Sequence, residues 1–144
     1  MSGVDSDVQG IYIAWMDEDA MKMSMERLWE MSRAYFFALE DMLNEWKIPA
    51  EARAFVRAVA ILSDGEGEAA VTNKELADEI GVSVRTMARY RRDAIEAMRR
   101  ANVVMVRYEP GGWEGDMARP TKYYIDWRPV TARAKKILNA KRRP

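Results

Sequence analysis

The sequence predicts a mainly α-helical chain with a small β-hairpin, an α+β fold in which a long helix precedes a compact domain. Three observations predict it. Apolar residues recur at helical spacing over residues 20–46, 50–62 and 84–101. Two runs rich in β-branched and aromatic residues, 103–108 and 121–127, flank a loop holding three glycines and two prolines. Capping residues stand at Thr72 and Ser83, with Gly81 between them to turn the chain. At 144 residues one domain with an appendage is expected. The organisation expected is an N-terminal arm and long amphipathic helix over 1–48, a domain over 49–127, and a basic helix and tail over 128–144.

Residues 1–10 are small and polar, and 11–16 make a short apolar run suited to a strand or a packing arm. Asp17, Glu18 and Asp19 fit a helix cap better than a cation site, because carboxylates accept the orphan amide hydrogens at a helix start. From there Met21, Leu28, Tyr35 and Met42 stand seven apart, with Met25, Leu39 and Trp46 flanking the same seam. A second row, Trp29, Phe36 and Leu43, lies about 100° round the helix. An apolar face this wide needs more than one neighbour. The first seam is therefore expected to dimerise the chain, and Pro49 is expected to end the helix or re-aim the chain.

The helix over 50–62 turns Phe55, Ala58, Val59 and Leu62 inward, and residues 63–68 form a turn. Its two glycines lack the Gly-Lys-Ser/Thr of a nucleotide loop. One short strand is expected over 68–72. Thr72 and Glu75 then form a capping box, in which each side chain bonds the other's backbone amide. A short helix follows over 73–80 with Leu76, Ala77 and Ile80 inward. Gly81 turns the chain, Val82 packs in the elbow, and Ser83 caps a second helix on which Met87, Tyr90, Ala94 and Met98 face the core. Ser83, Arg85, Thr86, Ala88, Arg89 and Arg92 remain outside. Guanidinium groups bond guanine edges and small residues allow close approach, so this face suits a major groove. Asn102 tolerates the left-handed geometry of a helix stop, and the two strands around the glycine-rich loop form a hairpin.

Residues 49–127 thereby resemble a winged helix-turn-helix DNA-binding domain, here preceded by a long N-terminal helix. The resemblance rests on Glu75, Leu76 and Ala77, on Ile80 to Ser83, on Arg85 to Met87, on Ala101 to Val103 and on Arg119 to Tyr123. The wing exit, with Arg119, Pro120, Thr121 and Tyr123, is most similar to domains of phage and plasmid replication proteins and small bacterial regulators. Two features depart from the family: Asn102 stands where glycine is usual, and the second helix is longer. The resemblance implies that Ser83, Arg85, Thr86, Ala88, Arg89 and Arg92 face DNA, with Arg119 and Lys122 in the wing.

Composition and charge narrow the function further. With no cysteine and no histidine, thiolate zinc sites, imidazole ligands and Ser-His-Asp chemistry are excluded, and neither cofactor nor metal is expected. An enzyme is not expected: Tyr90 belongs to the core face, and one of Tyr123 and Tyr124 must point inward. No run of about 20 apolar residues exists, and residues 1–10 are unlike a signal peptide, so a cytoplasmic protein, at the nucleoid when bound, is expected. The net charge of zero conceals a division: residues 1–72 carry 14 acids and 6 bases, residues 73–144 carry 9 acids and 17 bases. A basic half of this strength points to double-stranded DNA. The expectation is a dimeric transcriptional regulator. The alternatives are a phage or plasmid replication-initiation or partition protein, and a winged helix used for protein contacts through the acidic N-terminal region.

Overall fold

The computed structural model describes residues 18–114 and 117–142. The expected arm at 11–16, the cap at Asp17 and the side chains of Met21, Met25 and Leu28 lie outside that description. Among the described residues the chain is mainly helical with a small antiparallel sheet, the α+β class expected. It divides into two units, 1–40 with 130–144, and 41–129. The basic C-terminal segment thus groups with the N-terminal helix, where the sequence suggested a separate tail.

Helix α1 spans Glu18–Glu45. In the first unit its described part carries buried Ala34, Ala38 and Leu39, and the Tyr35 hydroxyl donates to Thr131 Oγ1 at 3.0 Å. The basic segment forms the last helix, α5, which spans Arg128–Arg142. Its buried residues are Val130 and Ala134.

The second unit begins with the end of α1, four residues before Pro49. Proline does not end this helix. Lys47 takes a left-handed φ of 55°, the Ile48 amide bonds the Leu43 carbonyl at 3.1 Å, and the Lys47 amide bonds Asn44 at 3.0 Å. This double closure satisfies carbonyls that a helix end leaves bare. Arg53 secures it, donating from Nε to the Ile48 carbonyl and from Nη1 to Asn44 Oδ1, both at 2.8 Å. Helix α2, Arg53–Leu62, follows a turn in which the Pro49 carbonyl accepts from Arg53. It therefore starts later than its apolar pattern suggested.

Asp64 bends the chain next, its carboxylate accepting the Glu66 and Glu68 amides at 2.9 and 3.0 Å. Gly67, at φ 82°, passes so close to the Ile125 carbonyl that a Cβ there would collide with it. Strand β1 is Glu68–Val71, α3 is Asn73–Ile80 and α4 is Val84–Arg100. After α4, Asn102 adopts φ 61° and Val103 bonds back to the Met98 carbonyl at 2.9 Å. Asn102 is the left-handed stop expected. Because Val103 completes that stop, strand β2 begins only at Val106 and runs to Glu109.

The segment expected as an open loop contains a second hairpin, β3 Gly112–Glu114 and β4 Met117–Arg119. Strand β5, Thr121–Ile125, then pairs antiparallel with both β1 and β2, giving the sheet order β1-β5-β2. Alternation on β5 buries Thr121, Tyr123 and Ile125 and turns Lys122 to the other face. Beneath the sheet, α2 packs on α3 and α4 and touches β5. Phe55, Leu76, Met87, Met98 and Tyr123 are almost wholly buried there, with the Phe55 and Tyr123 rings edge to face at 5.8 Å.

The seam expected to dimerise the chain is described only from Tyr35 onward. Leu39 and Met42 are buried within the chain itself, and Tyr35 and Trp46 are half-buried. The helix has two apolar rows, and the exposed residues belong to the other one: Trp29 and Phe36 are 66% and 57% exposed.

Left-handed geometry costs a residue with a Cβ about 1–2 kcal/mol. Lys47→Gly is therefore expected to raise the urea unfolding free energy by about 0.5–1 kcal/mol after the entropy of the freer unfolded chain is deducted. Gly67→Ala, which adds a backbone collision to the same strain, is expected to lower it by about 2 kcal/mol or more.

Candidate nucleic-acid interface

The turn between α3 and α4 is built by local hydrogen bonds. Thr72 Oγ1 accepts the Glu75 amide and Glu75 Oε1 accepts the Thr72 amide, both at 3.1 Å. The bonds from Thr72, its amide first, hold the Glu75 carboxyl below the usual carboxylate range. Gly81, at φ 85°, lets Val82 bond the Ala77 carbonyl at 3.0 Å. Ser83 then starts α4, its Oγ accepting the Thr86 amide at 3.1 Å and donating to Thr86 Oγ1 at 3.0 Å.

On α4 the residues expected to face DNA share one surface. Ser83, Arg85, Arg89 and Arg92 are exposed, and Thr86 and Ala88 are half-exposed between them. Arg89 approaches Glu51 at 3.9 Å and Arg92 approaches Asp93 at 3.8 Å. Loose, solvated pairs of this kind contribute less than about 1 kcal/mol, so a polyanion displaces them at little cost. Glu96 sets the limit of the basic face. It holds Arg99 through Oε1 at 2.7 Å and Oε2 at 3.0 Å, with Arg100 at 3.6 Å. The bidentate bond from Arg99 pulls the Glu96 carboxyl below its ordinary range. The uncommitted positive charge therefore lies on the first turns of α4.

The β3–β4 hairpin meets this face at a groove of about 380 Å³ lined by Thr72, Lys74, Val84, Gly112, Arg119 and Thr121, among others. It brings Arg119 beside the first residue of α4 and the amino end of α3. Lys122 is exposed but lies on the opposite face of β5, opposite Ala70 and Glu109. Of the two wing residues expected to face DNA, only Arg119 joins the groove.

Arg91 was absent from the sequence-predicted set, yet it is bonded to side chains of two other elements. It projects from α4 on the side of Met87, Ala94 and Met98. Its Nη1 donates to Tyr123 Oη at 2.7 Å and to Asn73 Oδ1 at 3.2 Å, and its guanidinium lies 4.6 Å from the Tyr108 ring centre. Spacing carries the signal, since 87, 91, 94 and 98 form one helical row and a charge in a buried row requires partners. Among the described residues no buried side-chain nitrogen or oxygen lacks a hydrogen bond.

No group of three or more acidic side chains able to hold a metal occurs among the described residues, and no described helix is long and apolar enough to cross a membrane. Compared with protein-family models, curated proteins and solved structures, the chain matches none of them.

Burial raises the Tyr123 hydroxyl above its ordinary value of 10.0, and Arg91 opposes the rise only in part. Above pH 10 the unfolded chain releases this proton while the folded chain retains it. Stability is therefore complete below pH 10 and falls as pH rises through the folded value. Urea midpoints between pH 9 and 11 are expected to fall less steeply for Tyr123→Phe than for the wild type; parallel curves would refute this account of the hydroxyl.

Proposed function

We propose that this chain binds double-stranded DNA sequence-specifically, as a winged helix-turn-helix regulator of transcription. Helix α4 enters the major groove, and the β3–β4 hairpin lies on the adjacent backbone or minor groove. The observation that carries the reading is the exposed face of Ser83, Arg85, Ala88, Arg89 and Arg92 on a helix whose other side is buried. An α-helix with its side chains is about 10–12 Å across, a diameter that fits a groove about 12 Å wide. Val84, 43% exposed at the helix start, adds an apolar contact suited to a thymine methyl. Arg119 serves the phosphates.

Sites selected from random duplex, followed by anisotropy titrations, test this. Arg85→Ala and Arg89→Ala are each expected to weaken the selected site about 5- to 150-fold and relax preference at one base pair, equivalent to about 1–3 kcal/mol. Arg119→Ala is expected to weaken all duplexes alike and flatten the salt slope by about one. Equal weak affinity for selected and random duplex at physiological salt would overturn specific recognition.

The dimer belongs to the same reading, through a different row from the one expected. Trp29 and Phe36, with Phe37 at 47% exposed beside them, share one face of α1. Aromatic side chains cover about 150–250 Å² each, so these three leave roughly 350 Å² of apolar surface in solvent. A second copy seated on this face buries roughly 700 Å² of apolar area, about what the non-polar part of a 1,200 Å² interface requires. Sedimentation equilibrium is expected to give a dimer for the wild type and a monomer for the double variant Trp29→Ser, Phe36→Ser. A monomeric wild type, with the face occupied by the chain's own N-terminal residues or by another protein, would overturn the dimer and leave the DNA reading standing.

A further inference from the structure

We infer that Arg91 is a positioning residue that fixes the wing against the recognition helix through a continuous polar chain, a role that deepens the DNA-binding reading without contact between Arg91 and DNA. Arg91 sits on α4, yet every partner it holds lies on another element: Tyr123 on β5, Tyr108 on β2 and Asn73 at the start of α3. The chain continues past Asn73. Thr121 Oγ1 lies 3.5 Å from Asn73 Oδ1 and accepts the Gly111 amide at 3.1 Å. Thr121 is the buried polar residue at this point, 3% exposed, and a hydroxyl has one proton to donate and lone pairs to accept. It can face Asn73 and Gly111 together, and burial makes the loss of either bond costly.

Gly111 is the hinge position of the wing. It stands between the end of β2 and the start of β3, and a Cβ there would collide with the Arg119 carbonyl. The β3–β4 hairpin is joined to the sheet only through its two ends, residues 110–111 and 120, because its strands pair with each other and with no other strand. A hairpin on two short connections can swing about its base. The Arg91–Asn73–Thr121–Gly111 chain anchors one connection to the helix that the wing flanks. Arg91 suits this work because one nitrogen, Nη1, donates to both acceptors while the flat face of the guanidinium rests on the Tyr108 ring; an ammonium could donate twice but has no planar face to stack. Arg119 is thereby held beside Val84 with its distance to Arg85 and Arg89 set from inside the domain.

Two measurements test the inference. The first needs no DNA: in Arg91→Met, and in Asn73→Ala should that variant be the better folded, the Gly111 amide is expected to exchange with solvent at least tenfold faster while the Val59 amide in α2 keeps its wild-type rate. An unchanged Gly111 amide, or equal acceleration at both positions, would mean that Arg91 does not hold the wing. The second uses the selected duplex. Arg91→Met and Arg91→Lys are expected to weaken binding with the salt slope unchanged, whereas a slope smaller by about one would make Arg91 a direct phosphate contact and overturn its positioning role. If the wild type binds no duplex, the DNA reading falls alone, and the exchange rates still decide the inference about the wing.

Discussion

Helix α4 is held along one side and bare along the other, and most of the second unit follows from that constraint. Its held row is Met87, Arg91, Ala94 and Met98; its bare row is Arg85, Arg89 and Arg92. A half-buried guanidinium within the held row needs acceptors that replace the water it loses. The acceptors come from α3 and β5, and the ring beneath the guanidinium comes from β2. Satisfying one side chain therefore brings three elements into register around the helix. Tyr123 carries the constraint inward, because the hydroxyl that accepts from Arg91 belongs to the ring that packs edge to face on Phe55. Polar satisfaction and apolar packing thus act through the same residue.

The charges on the outer side of α4 follow a second rule, that exposed pairs contribute little stability but decide which cations remain uncommitted. Glu96 binds Arg99 at two oxygens and draws in Arg100. Asp126 does the same for Arg128, accepting from Nε at 2.9 Å and from Nη2 at 2.8 Å. Both carboxyls are lowered chiefly by the hydrogen bond from their arginine, so both stay ionised well below neutrality. Arg85 has no carboxylate partner among the described residues, and Arg89 and Arg92 have only distant ones. The excess of 17 bases over 9 acids in the second half of the chain is thereby unevenly available, being greatest on the first turns of α4.

What was legible in the sequence was the chemistry that closes within a few residues. Thr72 with Glu75, Ser83 with Thr86, and Gly81 and Asn102 at helix ends each make bonds spanning three to five positions, and each could be read from side-chain type alone. The exposed set on α4 was legible for the same reason, since helical periodicity sorts faces before any partner is known. Arg91 was not read because its partners lie 18 and 32 residues away in sequence, and only the folded sheet brings them near. The β3–β4 hairpin was hidden by its glycines and prolines, which mark a turn without saying that the turn contains a ladder. Lys47 gave no sign of its left-handed backbone, because that conformation is imposed by the helix closing on Asn44 and Leu43 rather than favoured by lysine. The resemblance that groups Lys122 with Arg119 does not register faces, whereas the period of two on a strand sends Lys122 to the far side of β5.

The long helix shows how two apolar rows of nearly equal strength leave sequence reasoning without a decision. Leu39 and Met42 on one row are buried, and so is Leu43 on the other, yet Trp29 and Phe36 on that second row stand in solvent. Ala34 and Ala38 favour the buried row, because small side chains let a neighbour approach the helix backbone where a tryptophan would hold it away. A single exposed tryptophan is ordinary on a protein surface. Trp29, Phe36 and Phe37 on one helical face form a contiguous apolar patch, and the self-association proposed for it requires only that this patch be complementary to itself. Under that proposal the acidic half of the chain associates through apolar surface, whereas the basic half presents guanidinium.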